Sequence, residues 1–234
     1  MTNESLQSLL EGLNENNQIS SLIYRRPLSS NVDFAKIWDD IPKLTDSVTS
    51  SDGPDNFYLI KNAENVFVAI VYDMVRDLHW FVLPEYRGMG HLTNSLKQTI
   101  IPHLFLMREE QRITINEAEM DKDHFTASEK VALRLGFIKS DDNDDEYYLS
   151  NNCSNSEDFN FGNDSEISYD RMNELKKHIN YLSRSLWTIQ TEIEMKLGQT
   201  DYSDELKDLV HELRNHTWKL EDFWWSRNTD NNSR

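Results

Sequence analysis

The 234-residue chain is short of several things at once: one cysteine, five prolines, seven glycines, and only 24 Lys and Arg against 41 Asp and Glu. The single thiol, Cys153 in "SNNCSNSED", has no partner for an internal disulfide and no Cys or His neighbours for a zinc site. It reads as an incidental thiol. A net charge of −17 works against nucleic acid, whose phosphates call for Lys and Arg, and against an anionic membrane surface. The longest apolar run, "VFVAIVY", is far too short to span a bilayer. The N-terminus "MTNESLQSLLEGLNENNQ" has neither the basic start nor the apolar core of a signal peptide, and no Gly follows Met1. Together these absences predict a protein with no nucleic-acid or membrane partner and no metal, in a reducing, cytoplasmic home.

What is present suffices for a folded core: 38% of residues are hydrophobic and 11% aromatic. The acidity suits a cationic partner such as an amine or a basic peptide, and equally serves solubility alone. Residues 1–18 carry Leu6, Leu9, Leu10 and Leu13 at helical spacing, giving a helical or flexible N-terminal segment. "SLIYRRPL" predicts a strand stopped by Pro27, and "NVDFAKIWDDI" a helix with Phe34, Ile37, Trp38 and Ile41 on one face. Three strands follow, "NFYLIKN", "VFVAIVYD" and "DLHWFVLP", joined by connections short enough for hairpins. Then come a glycine loop, a helix over "HLTNSLKQTIIPHLFL" bent or divided at Pro102, and a strand over "RITINEAE". A helix over "HFTASEKVALRLGF" capped by Gly136 and a last strand over "DEYYLS" complete the order. It predicts an α+β domain with a mixed sheet over 19–150.

Residues 151–165 are polar and acidic and read as a linker. Beyond it, Met172, Leu175, Ile179, Leu182, Leu186, Ile189 and Ile193 recur in three- and four-residue steps. After a turn with Ser203 or Asp204 as cap, Leu206, Leu209, Leu213, Leu220 and Phe223 repeat that register, with His216 at a core-type position. The pattern predicts an antiparallel helical hairpin over 166–226 and a frayed tail over 227–234. Its packing is expected within the hairpin or against the first domain. Any apolar surface left over, around "WKLEDFWW", is where a second copy or another protein would bind.

The stretch "PEYRGMGHL" from Pro84 follows a strand and opens a helix. Gly88 and Gly90 leave room for backbone N–H groups to converge on a phosphate, and the helix dipole favours an anion there. It lacks the G-K-[ST] of a Walker A loop and the third glycine of a dinucleotide fingerprint. "DDNDDE" has Glu146 where a calcium loop needs Gly and Asn152 where it needs Glu, so it reads as a charged turn.

"VLPEYRGMGHLTNSL" resembles motif A of the GCN5-related N-acetyltransferases (the GNAT superfamily), with Arg87, Gly90 and Leu92 on its [RQ]-x-x-G-x-[GA] core. "SEKVALRLGF" is similar to the second motif in its ribosomal-protein N-terminal acetyltransferase form. The resemblance covers roughly Ser20 to Ser150. It implies a GNAT-like, mostly antiparallel sheet flanked by helices, with acetyl-coenzyme A as co-substrate. The pyrophosphate would sit on the N–H groups of Arg87, Gly88, Met89, Gly90, His91, Leu92 and Thr93. Val82 and Leu83 would pair with the pantetheine arm, and Ser128 would lie near the coenzyme sulfur. Three positions depart from the pattern: Leu92 replaces a small residue, Phe125 an Asn, and Ala132 the Tyr that protonates the thiolate in many members.

Acyl transfer to an amine needs a neutral nitrogen. An α-amino group, with a reference pKa of about 7.7–8, gives up its proton more readily than a lysine at about 10.4. A general base is therefore expected, and Glu117, Glu119 and His79 are the candidates, the last titrating near neutrality. Each also reads as an ordinary solvated carboxylate or sheet histidine. The chain is thus expected to be an N-acetyltransferase acting on a primary amine of a small molecule or protein. The alternative is a degenerate GNAT-fold scaffold that works through protein contacts of its hairpin.

Overall fold

The computed structural model describes residues 1–15, 22–50, 53–118, 121–151 and 167–231. Cys153, Glu119 and nearly all of the expected linker lie outside them. The chain forms two compact units, Met1–Gly162 and Asn163–Arg234. The first is α+β. After helix α1 (Asn3–Asn14), strands β1 (Leu22–Ser29), β2 (Val32–Trp38), β3 (Asp55–Lys61), β4 (Phe67–Asp73) and β5 (Leu78–Val82) form one sheet in sequence order. Every ladder in it is antiparallel. Three further strands, β6 (Glu110–Thr114), β7 (Ile138–Lys139) and β8 (Glu146–Ser150), form a second antiparallel sheet in the order β6-β8-β7.

Two expectations fail at the start of the sheet. The segment predicted to be a helix is strand β2. Its residues feed both faces: Val32 and Phe34 join one core cluster, Ala35 and Ile37 the other. Apolar burial on both sides erases the period-two signal and leaves an accidental helical spacing. Pro27 does not stop β1 either. That strand is an edge, where a missing N–H costs no ladder bond, and the register slips just after it.

The two faces are distinct along the cross-strand rows. Phe34, Tyr58, Val71 and Trp80 lie in register on one face, Ala35, Phe57, Tyr72 and His79 on the other. The second face is covered by α1, whose Leu6 and Leu10 are fully buried. Asn14 fixes that helix to β4 twice: its Nδ2 donates to Phe67 O and its Oδ1 accepts from Phe67 N, both at 2.8 Å. The first face packs against α2 (His91–Ser95), which passes through a π turn (Leu96–Ile100) into α3 (Ile101–Leu104), and against α4 (Lys122–Leu135). The π turn immediately precedes Pro102, whose missing N–H and bulky ring disfavour regular helix there.

On the same face, Tyr58 Oη and His103 Nδ1 lie 2.8 Å apart. Burial first, then the nearby Arg26 guanidinium, pushes the His103 pKa down to about 4. Between its unfolded value of about 6.5 and that folded value, the unfolded chain binds the extra proton, so stability rises with pH. The wild type should therefore lose stability from pH 6.5 down to pH 4. His103 is only half-buried, so solvent screening reduces the effect to about 1–2 kcal/mol. His103→Gln should flatten that part of a Tm-versus-pH curve, and an unchanged slope would assign it to other groups.

The second unit is a helical hairpin, α5 (Tyr169–Leu197) and α6 (Asp201–Asn231). The turn is capped by neither Ser203 nor Asp204 alone. Ser203 N donates to Thr200 Oγ1 (3.2 Å) and Thr200 N to Ser203 Oγ (2.9 Å), a reciprocal box that makes Thr200 the cap. The seam also differs from the expected register. Ser183 and Gln190 are buried while Leu182 and Ile189 are exposed, and Val210 is buried while Leu209, His216 and Phe223 are exposed. Lys176 pairs with Glu221, Ser183 Oγ donates to Val210 O (3.0 Å) and Gln190 to Glu194 (2.6 Å), so the polar seam residues are satisfied. The expected frayed tail is helical to Asn231, with Asn228 Nδ2 donating to Trp224 O (2.9 Å). Among the described residues, no helix is long and apolar enough to cross a membrane.

Candidate functional site

A cleft of about 490 Å3 opens where β5 ends, between the glycine loop and α4. Such a volume is in the ordinary range for a ligand pocket. After a 3-10 turn (Pro84–Tyr86), Gly88 and Gly90 take φ of 73° and 82°, a left-handed backbone that other residues adopt only at a cost. Gly90 is the N-cap of α2 and supplies no side-chain cap, so the first N–H groups of that helix donate no hydrogen bond to a side chain there. The amide of Arg87 is not among the free ones, because it donates to Pro84 O (3.3 Å).

The edge of β5 contributes backbone. Leu83 N donates to Val68 O (3.0 Å), so the alternation of an antiparallel ladder turns the polar groups of Trp80 and Val82 away from β4. Strand β6 does not take them up in a ladder, since it pairs with β8. Just before β5 begins, Asp77 Oδ1 accepts from Thr114 N (2.9 Å) and Arg76 O from Gln111 Nε2 (3.2 Å). Val82 O is met by Arg87 Nε (3.1 Å). Leu83 is buried in the α1-side core, and both its backbone groups are used within the chain.

The opposite wall is one face of α4. His124, Ala127, Ser128, Val131 and Arg134 line it at helical spacing, with Lys130 beside them. Asp121 caps that helix through Oδ1, accepting from Asp123 N (3.1 Å) and His124 N (3.0 Å). The His124 backbone N–H is the main cause holding the Asp121 carboxyl below the usual range. Asp121 Oδ2 also lies 2.6 Å from His124 Nδ1, while His124 Nε2 lies 2.9 Å from Arg87 Nη1. Guanidinium can only donate, so Nε2 accepts and Nδ1 carries the proton. Arg87 thus bridges the loop to α4. Trp80 Nε1 donates to Ser128 Oγ at 3.4 Å, which leaves the serine proton free for another acceptor.

The charge of this cleft is opposite to that of the chain. Arg87, Lys130 and Arg134 line it with His91 and His124, and no Asp or Glu among the described residues does. Against 41 acidic residues in the sequence, the lining thus gathers three side-chain cations, with Asp121 bonded to its His124 (2.6 Å).

The expected site residues divide accordingly. Val82, Arg87, Gly88, Gly90, His91, Leu92, Thr93 and Ser128 line the cleft together; Leu83 and Met89 do not. Met89 is 62% exposed. Leu92, which stands where the motif has a small residue, is buried in the main core, and Ala132 is fully buried there. Phe125 is partly buried against the same core. Glu117 sits beyond the end of β6 in an exposed turn, outside the cleft lining. His79 lies in the row facing α1, where its Nε2 donates to Asn3 Oδ1 (2.9 Å). Burial first, then the nearby N-terminal ammonium, lowers its pKa. The sequence reading missed Trp80, His124, Lys130 and Arg134. The α4 residues share a helical face legible as spacing, and Trp80 alternates with Val82. Among the described residues, no group of three or more His, Cys, Asp or Glu is placed to hold a metal ion.

Compared with protein-family models, with curated proteins and with solved structures, the chain matches none.

Proposed function

We propose that this chain is an acyl-coenzyme A-dependent N-acyltransferase of the GNAT class, moving an acetyl group to a primary amine of a small molecule or protein. The observation that carries the reading is the acid-free, cationic cleft at an uncapped glycine-loop helix in an otherwise acidic chain. That combination suits a polyanionic co-substrate. Its pyrophosphate would rest on the N–H groups of Gly88 and of Gly90 to Thr93, with Lys130 and Arg134 within the same cleft to neutralise phosphate charge. Trp80 and Val82 present the open strand edge for the pantetheine arm.

In the reaction, the amine nitrogen bonds to the thioester carbonyl carbon, and the carbon–sulfur bond breaks with its electron pair on sulfur. The amine proton leaves to a base or to water. Ser128, its oxygen held by Trp80, donates a hydrogen bond to the developing thiolate. The base is not assigned to Glu117 or His79, which lie outside the cleft lining.

Calorimetric titration with acetyl-coenzyme A, followed by a thiol-release screen of amine acceptors, tests the reading. Binding in the micromolar range and acceptor-dependent release of free coenzyme are expected. No heat and no thermal shift at millimolar coenzyme would favour the scaffold reading. Once an acceptor is in hand, Ser128→Ala should lower kcat about 100-fold while coenzyme affinity stays within about twofold of the wild type. Equal loss in both would mean that the serine only shapes the cleft.

A further inference from the structure

The hairpin carries two lateral faces of opposite character. On one, α5 offers Asn173, Asn180 and Glu194 and α6 offers Lys207, Arg214 and Glu221, interrupted by Trp187 and flanked by the exposed Trp218 and Trp225. On the other, α5 presents Leu175, Leu182 and Ile189, seven residues apart, and α6 presents Tyr202, Leu209, His216 and Phe223, also seven apart. Because the seam uses the neighbouring heptad positions in both helices, antiparallel packing brings these two rows to the same side. Leu182 (55%), Ile189 (52%), Leu209 (46%) and Phe223 (57%) are well exposed, and Leu175 is half-buried. Soluble helix pairs rarely leave so continuous an apolar face uncovered.

We infer that this face binds a second copy of the same face, closing an antiparallel four-helix bundle about a two-fold axis. The register identifies the occupant. The α5 row is centred on Leu182, and the α6 row between Leu209 and His216, at Glu212 and Leu213. Within the hairpin these centres lie nearly level, since Ser183 Oγ bonds Val210 O (3.0 Å). One axis crossing both helices there brings Leu175 to the partner's Ile189, Leu182 to itself, and Tyr202 to the partner's Phe223.

Charges flanking the face obey the same axis. Arg171 and Lys219 stand at the end where α5 begins, and Glu192, Glu205 and Glu212 lie toward the turn. Lys196 pairs with Glu192 and Arg171 with Glu174 (2.7 Å), so the contrast between the two ends rests on Lys219 against Glu205 and Glu212. A two-fold turn sets Arg171 against the partner's Glu192 and Lys219 against the partner's Glu205. A parallel arrangement would instead stack like on like. Only Glu212 would meet its own copy. With α5 of 29 residues, the face measures roughly 40 Å by 20 Å, about 800 Å2 per copy, the size of a standard specific interface.

The full-length chain should sediment as a dimer of twice 27.6 kDa at concentrations above about 10 µM. Leu182→Glu with Leu209→Glu should raise the dissociation constant at least about 100-fold, because charge is forced into an apolar contact. Both sites are exposed in the single chain, so helicity by circular dichroism should not change. Orientation is read from charge reversal. Arg171→Glu with Lys219→Glu in one chain, and Glu192→Lys with Glu205→Lys in another, should each weaken self-association, and mixing the two should restore a dimer. A wild type that stays monomeric at about 100 µM, or a dimer indifferent to the two glutamates, overturns the proposal. A monomer whose Tm drops with those glutamates would mean that the face is covered within its own chain. Reversed chains that fail to pair would overturn the antiparallel register.

Discussion

Gly90→Arg is expected to abolish acetyl-coenzyme A binding, raising its dissociation constant at least about 100-fold while the fold persists. Two effects act together. The new side chain enters at the N-cap of α2, where the free N–H groups would meet the pyrophosphate, and φ at this position is 82°. Several charge-assisted hydrogen bonds, each contributing about 1.5–3 kcal/mol, depend on that approach. Folding should survive, because a Cβ here meets only Asn94 Nδ2 at 3.5 Å, an ordinary contact. The strain of a left-handed residue is about 1–2 kcal/mol, visible as a few degrees in Tm. Gly90→Asn separates the two causes, since asparagine tolerates this backbone. It should bind within about tenfold of the wild type if bulk and not strain is the obstacle. Titration by calorimetry decides. If the arginine variant binds as the wild type does, the glycine loop is not the phosphate cradle.

Removing the α1 contact should produce the largest loss of stability in the first unit. Leu6 and Leu10 are fully buried against Phe57, Leu59, Ile70 and Phe81, on a sheet face that α1 covers. Leu10→Ala should cost about 2–5 kcal/mol, the usual range for a cavity that cannot collapse. Leu6→Ala with Leu10→Ala shares one cavity, so the two losses will not simply add. The pair should still bring a domain of ordinary stability close to its unfolding threshold. Urea unfolding followed by tryptophan fluorescence measures this, with Met89→Ala, at an exposed site, as the control. A loss below about 1 kcal/mol for the double variant would mean that the sheet face is stable without the helix. The same helix begins at Asn3, which lines the cleft and accepts from His79. Coenzyme affinity should therefore weaken along with stability.

Much of the architecture was legible in the sequence because local signals coincided with what packing required. The β3–β5 hairpins, the Gly136 cap with φ 92°, the glycine loop before a helix and the C-terminal helix pair all emerge from turn chemistry and periodicity. About half of the cleft lining was legible too, since Arg87, Gly88 and Gly90 to Thr93 sit close together in sequence and Ser128 lies on a periodic helix. Three things were decided only by tertiary structure. Strand β2 is buried on both faces, which removes the alternation that would identify it. The hairpin seam runs through Lys176, Ser183 and Gln190 in preference to Leu175, Leu182 and Ile189, since Glu221, a Val210 carbonyl and Glu194 satisfy those polar groups. A periodicity count cannot anticipate partners that lie on another turn or another helix. The acid-free cleft is the third case. Its cations come from Arg87 and from Lys130 and Arg134, more than 40 residues later, and only the packing of α4 across the end of β5 brings them together. Net charge is a property of composition, whereas the sign of the field at one site is fixed by which residues the fold gathers there.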